Sequence, residues 1–259
     1  MKSLIFWSTC FATFLASSPK AFSQDELSTP EGQSQCSREL VLRADADYVK
    51  NVAKYVEVTD KVSPELQATR ETFVRLLPLP SSPSGQITIV SIGEGFGRDV
   101  KYFRSLGYRT VGTDGSKAMV DYAKTYLGTD KDFYHLIAQD FSLVAVGLSE
   151  PVDGIWAMAS LHHVPDHELR ATFIQIRDAL RLGGVVHASF IMGVGTEGKA
   201  EVAIDRFWSR ITSRRLIEIV SSIEGLEIIS ESGRKENDFF AKAPSSGFHF
   251  YNLWLKRIK

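Results

Sequence analysis

The sequence predicts an α/β protein built on a doubly wound, seven-stranded sheet. Five strands are expected to run parallel, a C-terminal antiparallel hairpin closes the sheet, and N-terminal helices pack on the domain. Three observations carry this. From residue 86 onward, short apolar β-branched runs alternate with stretches of helical spacing, the pattern of right-handed βαβ units. The first run, Ile87-Thr88-Ile89-Val90-Ser91-Ile92, passes straight into glycines at 93, 95 and 97, which open a helical segment. The last two strand-like runs, 225–232 and 247–256, follow one another with no convincing helix between them, as an antiparallel pair does.

The elements follow in order. Residues 24–45 are polar, rich in Ser, Gln and Glu with Pro30 and Gly32, and are expected to form a disordered lead-in. Asp47 to Val58 places Tyr48, Val52, Tyr55 and Val56 at helical spacing. Ser63-Pro64-Glu65 is an N-cap followed by proline at the first helical position, which starts a helix reaching about Leu76. Pro78, Pro80 and Pro83 end it. Strands are expected at about 86–92, 108–113, 133–138, 152–158 and 185–190, and helices at about 97–106, 116–127, 166–182 and 213–222. The glycines at 193, 195 and 198, with the segment through Arg206, Phe207 and Trp208, make a candidate lid.

The bulk numbers set bounds. A chain of 259 residues fits one α/β domain or two small ones. Hydrophobic content of 44% and charged content of 24% are ordinary for a globular protein. The net charge of −1 lacks the basic excess of a non-specific nucleic-acid binder, so no nucleic-acid partner is indicated. Cys10 and Cys36 cannot make a zinc site by themselves, and no metal is expected. Met1-Lys2, an apolar run over 4–16 and Ala21-Phe22-Ser23 have the layout of a cleavable signal peptide, read over residues 1–23. The run is too short for a comfortable membrane span, so the mature chain is expected to have none. Cleavage would place the protein in the secretory pathway; without it, the cytoplasm is the alternative. The domain is then residues 46–259, read as a monomer.

The glycine turn is the chemical centre of the sequence. Glycine accepts positive φ and lacks the Cβ that would hold a ligand off the backbone. The helix beyond presents unpaired N–H groups and a partial positive charge. Such a turn can hold a nucleotide-like ligand. It departs from the dinucleotide fingerprint, because Arg98 occupies the third glycine slot and Gly97 comes one residue early. No Gly-Lys-Ser/Thr follows, which excludes a phosphate loop.

Asp114 ends the second strand 21 residues after Gly93 (114 − 93), where an acid can take both hydroxyls of a ribose. The alternative is that it only stabilises the next helix end, where Ser116 is the cap. Asp140-Phe141 ends the third strand. Its carboxylate can accept from an exocyclic amine and the following N–H can donate to a ring nitrogen, which matches the edge of adenine; a simple cap is the other reading. The fourth strand leads into Ala159-Ser160-Leu161-His162-His163-Val164-Pro165. Adjacent histidines diverge and make a poor metal pair. A histidine here is either a general base or a hydrogen-bonded wall residue.

With these motifs in order, the chain resembles class I S-adenosylmethionine (SAM) methyltransferases over about residues 48 to 257. The resemblance rests on Gly93-Glu94-Gly95-Phe96-Gly97-Arg98-Asp99, Thr113-Asp114-Gly115-Ser116, Asp140-Phe141, the run from Val152 to Pro165, Leu182-Gly183-Gly184 and Tyr251-Asn252-Leu253-Trp254. The closest pattern is that of a subgroup of small methyltransferase domains carrying Asp-Gly-Ile-Trp-Ala-x-Ala-Ser-Leu-x-His-Val-Pro. It implies a Rossmann-like fold, SAM as cofactor and a small-molecule acceptor with an oxygen or nitrogen nucleophile. It further implies that Gly93, Glu94, Gly95 and Gly97 carry the amino-acid part of SAM, Asp114 its ribose, and Asp140 and Phe141 its adenine. His163 sits where the subgroup has its one histidine and is the candidate catalytic base. Two departures stand out: Ser91 where an acid is usual, and Glu94 where a cysteine is usual, a charge close to the cofactor's cationic groups. A SAM-fold binding protein without turnover and a nicotinamide oxidoreductase are the alternatives. The arginine at 98 and the C-terminal hairpin count against the second.

Overall fold

The computed structural model describes residues 22–80, 85–191, 200–203, 206–209, 211–233 and 250–259. The signal-peptide reading falls outside these residues except at Phe22 and Ser23, and so do the glycines of the candidate lid. The helices are α1 (Gln24–Leu27), α2 (Pro30–Thr59), α3 (Pro64–Leu76), α4 (Arg98–Ser105), α5 (Lys117–Leu127), α6 (Asp166–Ala179) and α7 (Ser213–Ser221). The strands are β1 (Thr88–Ile92), β2 (Arg109–Asp114), β3 (Phe133–His135), β4 (Val152–Ala157), β5 (Leu180–Ile191), β6 (Ala200–Ala203), β7 (Arg206–Ser209), β8 (Leu226–Gly233) and β9 (Phe250–Arg257).

The main sheet has the order β3-β2-β1-β4-β5-β9-β8. The first five strands pair in parallel, and β9 runs antiparallel to both β5 and β8. This is the expected fold. The hairpin does not simply close the edge, because β9 inserts between β5 and β8.

Burial on both faces explains the near-continuous apolar strands. In β1, Ile89 packs with Phe73, Phe103 and Trp156 on one side, while Val90 and Ile92 join Ile155, Phe173 and Leu216 on the other. The first cluster is closed by α3 and α4, the second by α6 and α7. Register then aligns the strand ends. Ile92 pairs with Thr113, so Gly93 stands level with Asp114; Ser91 pairs with Trp156, which brings Met158 to the same edge.

Two differences from the sequence reading concern the surroundings of that edge. Residues 24–45, expected to be disordered, carry α1 and the first half of α2. Thr29 caps α2 by accepting from Gly32 N–H at 3.1 Å, with Pro30 at the first helical position, the same device that starts α3 at Ser63-Pro64. The few apolar residues here, Leu27, Cys36 and Leu40, bury against Phe207, a partner too remote in sequence to show as periodicity. The candidate lid, in its described part, is a second small sheet in which β6 and β7 pair antiparallel.

Candidate cofactor and methyl-transfer site

Gly93, Gly95 and Gly97 all have positive φ, at +67°, +66° and +94°. A Cβ on Gly93 would stand 2.3 Å from Ser160 Cβ, so close approach of the β1 and β4 ends demands glycine there. A Cβ on Gly95 would meet nothing within 4 Å; its requirement is conformational, and open space lies in front of it. The Asp114 carboxylate braces this turn. Oδ2 accepts from Gly95 N–H at 2.7 Å and Oδ1 from Ser116 N–H at 2.8 Å. An ionised carboxylate holds about four acceptor positions. Above the turn, burial raises the Tyr55 phenol beyond its ordinary pKa; Arg98 opposes this and Asp114 adds to it.

Glu94 turns away from the open side. Oε1 accepts from Asp99 N–H at 2.6 Å and from Val100 N–H at 3.0 Å, the unpaired donors of the first turn of α4, and Oε2 accepts from the Ser91 hydroxyl. Its main chain serves the turn, donating to Thr113 O at 2.9 Å. Burial and the neighbouring Asp99 push its pKa up to about 8. The two departures noted in the sequence are thus one unit: Ser91, lacking the usual acid, hydrogen-bonds the acid three residues later.

Below the turn, Asp99 is buried with Arg70, whose Nε donates at 2.8 Å, and accepts from Trp156 Nε1 at 3.0 Å. Burial acts to raise the Asp99 pKa, but Arg98 and Arg70 outweigh it and hold it below the usual value. Arg98, which fills the missing glycine slot, donates from Nη1 to Thr59 O at 2.7 Å and so ties α4 to the end of α2.

Asp140 and Phe141 lie beyond β3, at the expected edge. Asp140 is half exposed and takes Arg38 Nη1 on both oxygens, at 3.0 and 3.1 Å. The Phe141 ring is buried, and its N–H donates to Ala138 O at 3.3 Å. Both groups read from sequence as facing adenine therefore have partners within the protein.

The β4 end supplies the remaining chemistry. Ala159 has φ +54°, a strained conformation outside glycine that concentrates at functional sites, and its N–H is held by Ser189 Oγ at 2.7 Å. Ser160 Oγ is buried without a partner beside Gly93. His162 is fully enclosed, stacked on Trp208 at 4.8 Å and 3° between planes, and burial then His163 lower its pKa well below the ordinary value. His163 is half-buried, edge-on to Trp208, and burial lowers its pKa to about 4. Its Nδ1 lies 2.7 Å from Phe207 O. A carbonyl only accepts, so Nδ1 carries the proton and Nε2 keeps its lone pair.

The structure therefore gathers Gly93, Glu94, Gly95, Gly97 and Asp114 into one turn, with Ser160 and His163 at the adjoining β4 end and Asp140-Phe141 farther along the same edge. The sequence reading missed Ser160, which lay unmarked inside the fourth motif, and Tyr55 and Arg38, which reach the edge only because α2 crosses it. Among the described residues, no group of three or more His, Cys, Asp or Glu side chains could hold a metal ion.

The residues fit SAM on these observations. Open space faces the Gly95 backbone, an unpartnered buried hydroxyl stands beside Gly93, and an acid sits at the second strand tip. The comparisons bear on the fold that carries these residues. Residues 89–184 match the family model described as a methyltransferase domain. No curated protein matches the sequence. Among solved structures, a SAM-dependent methyltransferase from Leishmania major superposes with a TM-score of 0.61 at 17% identity, over 96% of this chain and 90% of that one. The 1,6-didemethyltoxoflavin N1-methyltransferase of Burkholderia thailandensis, solved with 1,6-didemethyltoxoflavin and S-adenosylhomocysteine, gives 0.58 at 17% identity over 94% of both chains. A cyclopropane synthase from Mycobacterium tuberculosis gives 0.56 at 14% identity, over 74% of this chain and 84% of that one. At such identities the superpositions establish the fold, and residues 89–184 are similar to a methyltransferase domain.

Proposed function

We propose that this protein transfers the SAM methyl group to an oxygen or nitrogen nucleophile on a small molecule. The observation that carries the reading is the pairing of the Asp114-braced glycine turn with a histidine whose Nδ1 faces a carbonyl, which leaves the ring's lone pair on Nε2, on adjoining strand ends of one sheet edge.

SAM, when bound, supplies an electrophilic methyl on a sulfonium; the chain's work is alignment. The backbone of Gly93, Glu94, Gly95 and Gly97 and the Ser160 hydroxyl hold the amino-acid part, Asp114 the ribose hydroxyls, and Asp140 with Phe141 the adenine edge, the Phe141 N–H exchanging its 3.3 Å bond to Ala138 O for the ring nitrogen. Asp140 has lone pairs beyond those facing Arg38, so an amine can share it without breaking that pair. Methyl transfer is an in-line displacement, in which holding nucleophile and methyl in line supplies most of the available acceleration.

His163 takes the proton. An O–H nucleophile, or an N–H conjugated to a carbonyl or aromatic ring, becomes strongly acidic as it forms its bond to carbon, so even a base with a pKa of about 4 can accept from it at that moment. The same low pKa keeps the imidazole neutral throughout the physiological range. Trp208 and His162 fix the ring by packing. Among the described residues no helix is long and apolar enough to cross a membrane. The leader read in residues 1–23 remains part of the proposal; cleavage after Ser23 would also remove the hydroxyl that caps α1.

Incubation with methyl-labelled SAM and a panel of phenols, alcohols, carboxylates and amines, followed by product mass spectrometry, tests the reading. A labelled O- or N-methyl product that His163→Gln loses is expected. SAM binding with no product from any member would favour a binding protein without turnover.

A further inference from the structure

The base at position 163 is aimed by a backbone carbonyl delivered from far along the chain. We propose that Phe207 is the positioning residue for His163: its carbonyl, carried on β7 and anchored through its side chain to the N-terminal helices, holds the imidazole with the proton on Nδ1 and Nε2 open to the acceptor. This rests on the reading of His163 as the base.

Three contacts support it. Phe207 O lies 2.7 Å from His163 Nδ1, and the hydrogen bond at one ring nitrogen decides which form the other takes. The Phe207 ring is 2% exposed and buried among Leu27, Cys36 and Leu40, so the carbonyl's place is set by α1 and α2. Ser37, on the same stretch of α2, donates from Oγ to His163 O at 2.9 Å. One helix therefore holds the histidine twice, directly through its main chain and indirectly through Phe207. Trp208 then covers the ring edge-on at 4.7 Å, which leaves little freedom to flip.

The chemistry needs this form. In methyl transfer the nucleophile's proton goes to Nε2, its electron pair forms the bond to the methyl carbon, and the sulfonium leaves as a neutral thioether. The imidazolium produced keeps its Nδ1–H on the Phe207 carbonyl, whose partial negative charge stabilises it. With the proton on Nε2 instead, the open nitrogen would have no lone pair to offer.

Nitrogen-15 NMR of the ligand-free full chain reads this without any acceptor. Long-range proton–nitrogen correlations near neutral pH, assigned with His163→Gln, distinguish the two forms. The wild type should show Nδ1 protonated and Nε2 bare. Phe207→Ala, and Leu40→Ala from the helix side of the same cluster, should move the signature toward a mixture, while Phe207→Leu should retain the wild-type pattern. A wild-type proton on Nε2 would overturn the proposal, as would an unchanged signature in folded Leu40→Ala and Phe207→Ala. If Phe207→Ala does not fold, Leu40→Ala decides. SAM titration of the same samples separates the readings: the expected signatures with no SAM binding would sustain the positioning role and count against methyl transfer.

Discussion

The Asp114 carboxylate accepts the Gly95 N–H at 2.7 Å, joining the end of the second strand to the middle of the glycine turn. The acid that the sequence offers as a ribose ligand is thus also the brace that shapes the turn. The turn's glycines consequently fail in different ways when substituted.

Gly95→Ala should cost about 1–2 kcal/mol of stability, the penalty of a left-handed non-glycine residue, since its Cβ meets no atom within 4 Å. The new methyl would point into the open space before the turn, so SAM affinity should fall by more than the stability loss implies. Gly93→Ala should do the reverse in emphasis, because its Cβ would stand 2.3 Å from Ser160 Cβ and the β1 and β4 ends must part. Thermal unfolding and SAM titration of the two variants check this. Equal losses of affinity at matched stability would mean that the space before Gly95 is not the ligand's.

Glu94 should leave a mark on the pH dependence of stability. Burial and Asp99 raise its pKa to about 8 in the folded chain, above the ordinary value of 4.5. Between those values the folded state holds a proton that the unfolded state has lost, so stability falls as pH rises across this window. Glu94→Gln keeps an acceptor for the Asp99 and Val100 N–H groups, reverses the Ser91 bond so that the amide donates to the hydroxyl, and does not titrate. The variant should therefore lose this slope and overtake the wild type above about pH 8. The buried His162 and His187 and the half-buried His163 act in the opposite sense as pH falls below their ordinary value, and they cancel in the comparison. Melting curves from pH 5 to 9 decide it; parallel curves would place the Glu94 proton elsewhere.

Arg70→Ala should be the most damaging change away from the turn. It would leave Asp99 buried with its Trp156 bond and, at the longer distance of 3.3 Å, the half-buried Arg98 as its remaining cation. Removing one member of a buried pair costs about 3–5 kcal/mol. That corresponds to a fall of roughly 6–20 °C in Tm for a domain of this size. A loss under about 2 °C would mean that the pair is open to water.

Much of this architecture was legible in the sequence because its signals are local. The strand–glycine–helix turn, the acid at the next strand tip and the Ser63-Pro64 cap each declare themselves within a few residues. What escaped depends on remote partners. α2 buries Cys36 and Leu40 against Phe207, and no pattern over 24–45 alone foretells that pairing, although Thr29-Pro30 repeats the signal that marked α3. Arg38 reaches Asp140 only because α2 crosses the sheet edge. Glu94 was read as a charge facing the ligand; its turn into the α4 N-terminus follows from the Ser91 hydroxyl and two unpaired N–H groups, which a linear motif does not display.

Isothermal titration of the wild type and Asp114→Asn reads SAM binding at the turn braced by Asp114. The wild type should bind with a Kd on the order of micromolar, between about −7 and −8 kcal/mol. Asp114→Asn, which keeps the side-chain size but sets an amide N–H against one of the two bracing N–H groups and forfeits charge-assisted hydrogen bonds worth about 1.5–3 kcal/mol each, should bind at least about tenfold more weakly while remaining folded. Equal affinity in the two proteins, or no heat from the wild type at millimolar SAM, would contradict the account.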